Sequence, residues 1–278
     1  MVDFQKSEIT EHHVYKGLAK LAGDNREVLE RISEGELRHY RFWKKFTEEE
    51  VSPDRLKILK HLLLSRLFGL TFTIKLMERQ EKYAQDVYET IARKVPGADW
   101  IIRDEKDHEE KLIKIVREEK LEYIGSMILG LNDALVELTG TLAGLTFAFQ
   151  NSKLVGLAGL ITGIAASLSM ASSEYLSKKS EVSDKSPLKA SFYTGAVYLL
   201  TVSVLVAPFF FLGNSFLALA VTVLDAVLVI VVFTYFLSVV RDLPFKKRFI
   251  EMASISLGVA GASFLIGMAL RFLMGIEV

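Results

Sequence analysis

Hydrophobic positions follow two patterns along this chain. Up to about residue 121 they recur every three or four residues among charged ones, and from residue 122 onward they run together. The first pattern is that of amphipathic helices with one apolar stripe, the second that of helices in apolar surroundings. Lys6–Ala22 sets Ile9, Val14, Leu18 and Leu21 at helical spacing, and Gly23-Asp24-Asn25 supplies a turn and an N-cap. The spacing predicts further helices over Arg26–Phe46, Asp54–Arg66, Phe68–Lys94 and Ala98–Leu121. Glu48–Glu50 with Pro53, and Pro96-Gly97, punctuate them. The long connection between the second and third major helices, holding the short apolar helix Asp54–Arg66, suits a four-helix bundle with one crossover.

The second pattern contains five apolar runs, near 124–149, 154–176, 190–212, 215–239 and 252–274. Each is long enough to cross a hydrocarbon core of about 30 Å. The expected fold class is therefore all-α: a soluble helical domain at 1–121, then a membrane domain at 122–278 with five transmembrane helices in the lipid bilayer. Loop charge orients them. Ser177–Lys189 carries Lys178, Lys179, Lys185 and Lys189, and Val240–Glu251 carries Arg241, Lys246, Lys247 and Arg248. Gln150–Lys153 has one lysine and Gly213–Asn214 has none. The positive-inside rule then places the N-terminal domain in the cytoplasm and the C-terminus outside. MVDFQKSEIT is polar and no cleavable signal peptide is expected, which leaves insertion to the first span.

Composition narrows the chemistry. The net charge is zero and the hydrophobic fraction 50%, so there is no basic excess to favour nucleic acid. The chain has no cysteine, which excludes disulfides, thiolate metal sites and c-type haem and leaves carboxylate, imidazole and thioether as ligands. All five histidines (His12, His13, His39, His61, His108) lie in the charged N-terminal part.

Two of them form Glu-x-x-His pairs, Glu36/His39 and Glu105/His108. Residues three apart share a helix face, so each pair can bind one metal. A di-metal bundle needs two such pairs plus a glutamate from each remaining helix, and four carboxylates then balance two divalent cations. The candidates are Glu8 or Glu11 on the first helix and Glu78 and Glu81 on the third major one. Glutamate is common here, and the argument rests on the helices these residues fall on. His12, His13 and His61 are read as surface or packing residues.

Over roughly residues 6–120 the sequence resembles the rubrerythrin/ferritin-like superfamily. Glu8 precedes Tyr15 by seven in E-I-T-E-H-H-V-Y, and E-L-R-H at 36–39, E-R-Q-E at 78–81 and E-K-D-H at 105–108 follow in order. The resemblance implies a ferritin-like four-helix bundle with a di-iron site. It implies that Glu78 and Glu81 both serve, and that ferrous iron is bound and can be oxidised by oxygen or peroxide. The cysteines of a rubredoxin centre are absent, which argues against a full peroxidase cycle.

Ionisable groups inside membrane spans are costly and are functional candidates by default. The first span carries Asp133 and Glu137 four residues apart, and the second Met170 and Glu174 at the same spacing. Asp225 lies in the fourth and reads equally as a packing residue. Carboxylates with a thioether suit a borderline divalent cation better than magnesium or calcium. A buried carboxylate can also exchange a proton for a metal.

N-D-A-L-V-E-L-T-G at 132–140 and S-M-A-S-S-E-Y-L-S at 169–177 resemble the vacuolar iron transporter family, a likeness extending over 122–278. Ser173 stands where that family usually has Gly, and the loop between spans two and three lacks the family's glutamate-rich insert. The resemblance implies a homodimer, to which Ser254, Gly258 and Ala262, spaced by four, add a small-residue face. The whole chain is similar to the fusions called membrane-bound ferritins. The expectation is a transporter in a prokaryotic cell membrane. It would export ferrous iron, or manganese, from the cytoplasm by proton antiport, with Asp133, Glu137, Met170 and Glu174 along the pathway. The rival expectation is an enzyme: a membrane-anchored ferroxidase or peroxide-reducing di-iron protein.

Overall fold

The computed structural model describes residues 1–79, 95–115, 123–181 and 186–274. Every regular element among them is helical. The chain divides into two compact units, Met1–Glu118 with Val239–Asp242, and Glu119–Ser238 with Leu243–Val278.

In the first unit, α1 (Val2–Ala19) lies along α2 (Arg26–Thr47), and α3 (Arg55–Phe68) packs on α1. A further helix, α4 (70–79), follows, and α5 is Asp99–Ile115. Helix α1 starts four residues before the expected Lys6 and stops at Ala19, which leaves Leu21 outside the helix and exposed. Asp54 sits just before α3, its carboxylate accepting from the Lys57 amide, so the predicted first residue is the cap. Gly69 divides α3 from α4 at φ 92 and ψ 166, a conformation open in practice only to glycine. The main core joins four helices through Val14 and Leu18, Leu29 and Ile32, Ile74 and Met77, and Leu112. Trp43, Val95, Ala98 and Ile101 form a second small core.

The second unit holds five helices long and apolar enough to cross a membrane. They are α6 (Ile124–Phe149), α7 (Ser152–Ser180), α8 (Pro187–Phe211), α9 (Ser215–Val240) and α10 (Phe245–Met274). The last begins seven residues before the expected boundary at 252. Helix α6 is central, packing on α7, α8 and α10. Leu131, Leu135, Leu138 and Leu142 of α6 meet Tyr198, Val202, Leu205 and Phe209 of α8. Leu157, Ile161, Ile164 and Leu168 of α7 point outward, as lipid-facing side chains must.

Hydroxyl groups hold these helices together without exposing a donor to hydrocarbon. Ser152 donates to the Phe209 carbonyl at 2.8 Å, Thr222 to that of Leu205 at 2.8 Å, and Ser191 to that of Ala171 at 2.7 Å. The small-residue face read from the sequence is not a crossing within the chain: Ser254, Gly258 and Ala262 are exposed. Helix α10 instead meets α6 through Ser256, which lies 3.2 Å from the Thr139 hydroxyl, and through Gly267 against Gly144.

A side chain at residue 69 would be forced into a glycine-only conformation. Gly69→Ala should destabilise the first unit by about 1–3 kcal/mol, read as a lowered thermal unfolding midpoint of the full chain in detergent.

Candidate metal centre

Each of α1, α2 and α5 contributes acid to one buried spot. Four groups, Glu8, Glu36, His39 and Glu105, bring one ligand atom each to within 4.8 Å of one another. His39 is the hub. Its Nδ1 stands 3.0 Å from Glu105 Oε1 and 3.4 Å from both Glu8 Oε2 and Glu36 Oε2, yet none of these contacts completes a hydrogen bond to that nitrogen. Glu36 Oε2 is likewise buried without a hydrogen-bond partner. Buried polar atoms normally have partners. Two unpartnered ligand atoms facing each other among carboxylates are what a divalent cation would satisfy. Three carboxylates and one imidazole also match the ligand preference of iron, manganese or zinc.

The opposite side of the ring is held. His39 Nε2 lies 3.1 Å from Asp104 Oδ2, and Arg38 donates to the same oxygen at 3.1 Å. A carboxylate on the far ring nitrogen fixes the tautomer and leaves Nδ1 as the ligand. Trp43 Nε1 donates to Glu8 Oε1 at 3.3 Å. His108 is adjacent to the cluster rather than in it. Its Nδ1 sits 3.1 Å from Glu36 Oε1. Gly35 makes room for this ring: a Cβ there would meet His108 Cε1 at 2.4 Å and Nε2 at 2.5 Å.

The remaining expected ligands are placed otherwise. Glu11 accepts from Ser7 at 2.9 Å and has Lys57 Nζ at 3.7 Å, so of the first-helix pair Glu8 is the one in the cluster. Glu78 pairs with Lys75 at 2.9 Å. Glu81 lies outside the described residues. The described donors thus fit one cation, and the second metal of the expected pair has no complete ligand set among them. Of the other histidines, His12 is buried, its Nδ1 2.7 Å from the Ser33 carbonyl, and His61 Nδ1 is 2.7 Å from that of Lys57.

Burial decides the electrostatics. Glu8 and Glu36 are both pushed up to about 7, first by desolvation; Glu36 also feels the charge of Glu105, and Glu8 that of Glu36. Burial works against a charged His39, but Glu105, Glu36 and Glu8 around it outweigh that and hold its pKa well above the usual imidazole range. His108 is lowered, chiefly by burial. Around neutral pH the cation-free cluster therefore holds protons where a metal would sit.

In the membrane unit, polar groups are strung along α6. Near its start Ser126 donates to Glu174 Oε1 at 2.6 Å, and Glu174 is buried. Asp133 follows about 10 Å further along at 1.5 Å per residue, and Glu137 about 6 Å beyond it. Tyr198 of α8, fully buried, donates to Glu137 Oε2 at 2.7 Å and also faces Asp133. Met170 is partly buried against the apolar core. Asp225 is half-buried in α9. Beside Asp133, Asn132 Oδ1 is buried without a hydrogen-bond partner.

Five helices long and apolar enough to cross a membrane define an integral membrane protein. Residues 124–185, covering the first two spans, match the VIT family, and that match suggests a metal-ion transporter. No curated protein matches the chain.

Sequence reasoning missed Asp104, Gly35, Ser126 and Tyr198. Asp104 had a signal, lying next to Glu105 and four residues before His108. Gly35 had a weaker one, as a glycine inside an otherwise strong helical pattern.

A cation entering the cluster must displace protons from Glu8, Glu36 and His39. Binding of ferrous or manganous ion to the full chain should therefore release protons and strengthen as pH rises from about 6 to 8, measurable by calorimetry in buffers of different ionisation enthalpy. In Gly35→Ala the added methyl displaces His108 from Glu36, and affinity should fall about 10- to 100-fold in the same titration.

Proposed function

We propose that the protein exports divalent iron, with manganese as the alternative cargo, in exchange for protons. The observation that carries the reading is the convergence of Glu8, Glu36, His39 and Glu105 in a chain whose first two spans match the VIT family. The first unit acts as a ferritin-like, rubrerythrin-type bundle that captures the cation or senses its level. Loop charge favours the cytoplasmic side for it, with the C-terminus outside, and we take the membrane to be that of a prokaryotic cell. Glu8, Glu36, His39 and Glu105 hold one metal, while His108, Glu78, Glu81 and Glu11 are the further carboxylate and imidazole groups from which a second site is drawn. Iron held there would supply redox chemistry toward oxygen or peroxide.

Within the membrane, Glu174, Met170, Asp133 and Glu137 form the route. A carboxylate hydrogen-bonded by Ser126 or Tyr198 releases that donor when a cation arrives, and a carboxyl that gives up its proton to admit the cation couples the two flows. The exposed face of Ser254, Gly258 and Ala262 supports a homodimer, because small residues let helices of two copies approach closely.

The rival reading, a membrane-anchored ferroxidase or peroxide-reducing enzyme, draws on the same cluster. Five spans with carboxylates inside them exceed what an anchor needs. Full-length protein in liposomes loaded with a metal-sensitive dye should carry ferrous ion faster under a pH gradient. Asp133→Ala and Glu174→Ala should each lower that flux at least about tenfold. Unchanged flux in both variants would overturn the route. Rapid oxygen consumption without any flux would favour the enzyme.

A further inference from the structure

Helix α3 is apolar on two sides. Its inner side packs Ile58 and Leu62 into the core of the first unit, with Leu62 seated directly on Gly17 of α1. Its outer side carries Leu56, Leu59, Leu63 and Leu67, which are 79%, 65%, 54% and 67% exposed. At 100° per residue these four fall within an arc of about 80°, a continuous stripe rather than scattered leucines. A soluble domain rarely leaves such a stripe open.

The charges beside the stripe identify what covers it. On the wheel Lys57 and Lys60 border one edge and Arg55 and Arg66 the other, and the helix sequence RLKILKHLLLSRLF contains no Asp or Glu. Lys57 is turned toward Glu11, whereas Arg55, Lys60 and Arg66 are exposed. Leucines in the middle with cations on both edges are the arrangement of a helix lying in a membrane interface. Its apolar face enters the acyl boundary and its basic side chains reach anionic headgroups. A second copy of the same helix fits less well, since pairing two stripes would set three exposed cations of each copy beside those of the other with no acid on either helix. The spans of the same chain already fix the first unit to a bilayer, so even a weak interfacial preference acts at high effective concentration.

We propose that the outer face of α3 docks on the anionic lipid surface of the membrane that the chain itself spans. The proposal is independent of which cation is moved and of whether any is.

The chain has no cysteine, so one introduced thiol labels one place. Full-length Leu63→Cys and Leu56→Cys, each spin-labelled and reconstituted in phosphatidylcholine vesicles with or without phosphatidylglycerol, are compared with Glu27→Cys on the exposed side of α2. Both leucines are on the open face, so neither change disturbs the core. With phosphatidylglycerol present, the ratio of oxygen to chromium-oxalate collision rates at positions 63 and 56 should exceed that at 27 by about tenfold. The excess should shrink in phosphatidylcholine alone, and in a variant combining Arg55→Gln, Lys60→Gln and Arg66→Gln. Equal ratios at all three labels would overturn the proposal. Dipolar broadening at position 63 that disappears on dilution with unlabelled protein would also overturn it, by identifying a second copy as the occupant. A lipid signal that ignores phosphatidylglycerol would overturn the role of charge.

Discussion

Glu8, Glu36 and His39 are buried together beside the half-buried Glu105 with too few donors to satisfy them, and this constraint organises the first unit. Removing several carboxylates from water is expensive unless protons or a cation compensate. Here desolvation raises Glu8 and Glu36 while the surrounding carboxylates hold a proton on His39. The fold maintains this unfavourable grouping by supporting it from behind. Asp104 and Arg38 fix the far edge of the His39 ring, Trp43 anchors Glu8, and Gly35 lets His108 reach Glu36. An arrangement that is costly when empty of cations and supported on every side is poised to bind one.

The membrane unit solves the same problem with less charge. Its carboxylates are divided between α6, with Asp133 and Glu137, and α7, with Glu174, and two of them, Glu174 and Glu137, are each met by a hydroxyl from Ser126 or Tyr198. A neutral donor satisfies such a carboxylate and can turn away from it, which a fixed ion pair could not. The serines and threonines that tie α7, α8 and α9 to backbone carbonyls keep the scaffold around this row rigid.

Much of this was legible in the sequence because it depends on local spacing. Five apolar runs of bilayer length gave the spans, and Glu36, His39 and Glu105 of the two i,i+3 pairs fall in the candidate cluster. What the spacing left open depends on tertiary contacts and on where the helices end. Glu8 and Glu11 share a face of α1, and only Lys57 reaching from α3 separates their roles. His108 reads as a ligand like His39, and its Nδ1 meets Glu36 beside the cluster. Leu21 has the right periodicity and falls beyond the helix end. The small-residue face of α10 is exposed, and the crossing within the chain uses Gly267 against Gly144. Helix α3 was recognised as strongly apolar; its second, outward-facing stripe emerges only once the inner side is known.

The central proposal is that the cluster of the first unit captures the cation that the protein exports. It is tested most directly by the concentration dependence of ferrous-ion flux through full-length protein and Glu36→Gln in the same liposomes. The glutamine keeps the shape of the side chain and removes its charge. The account predicts a KM raised about tenfold or more with the maximal rate unchanged, because the route through the spans is intact. An identical KM in the two proteins would contradict it.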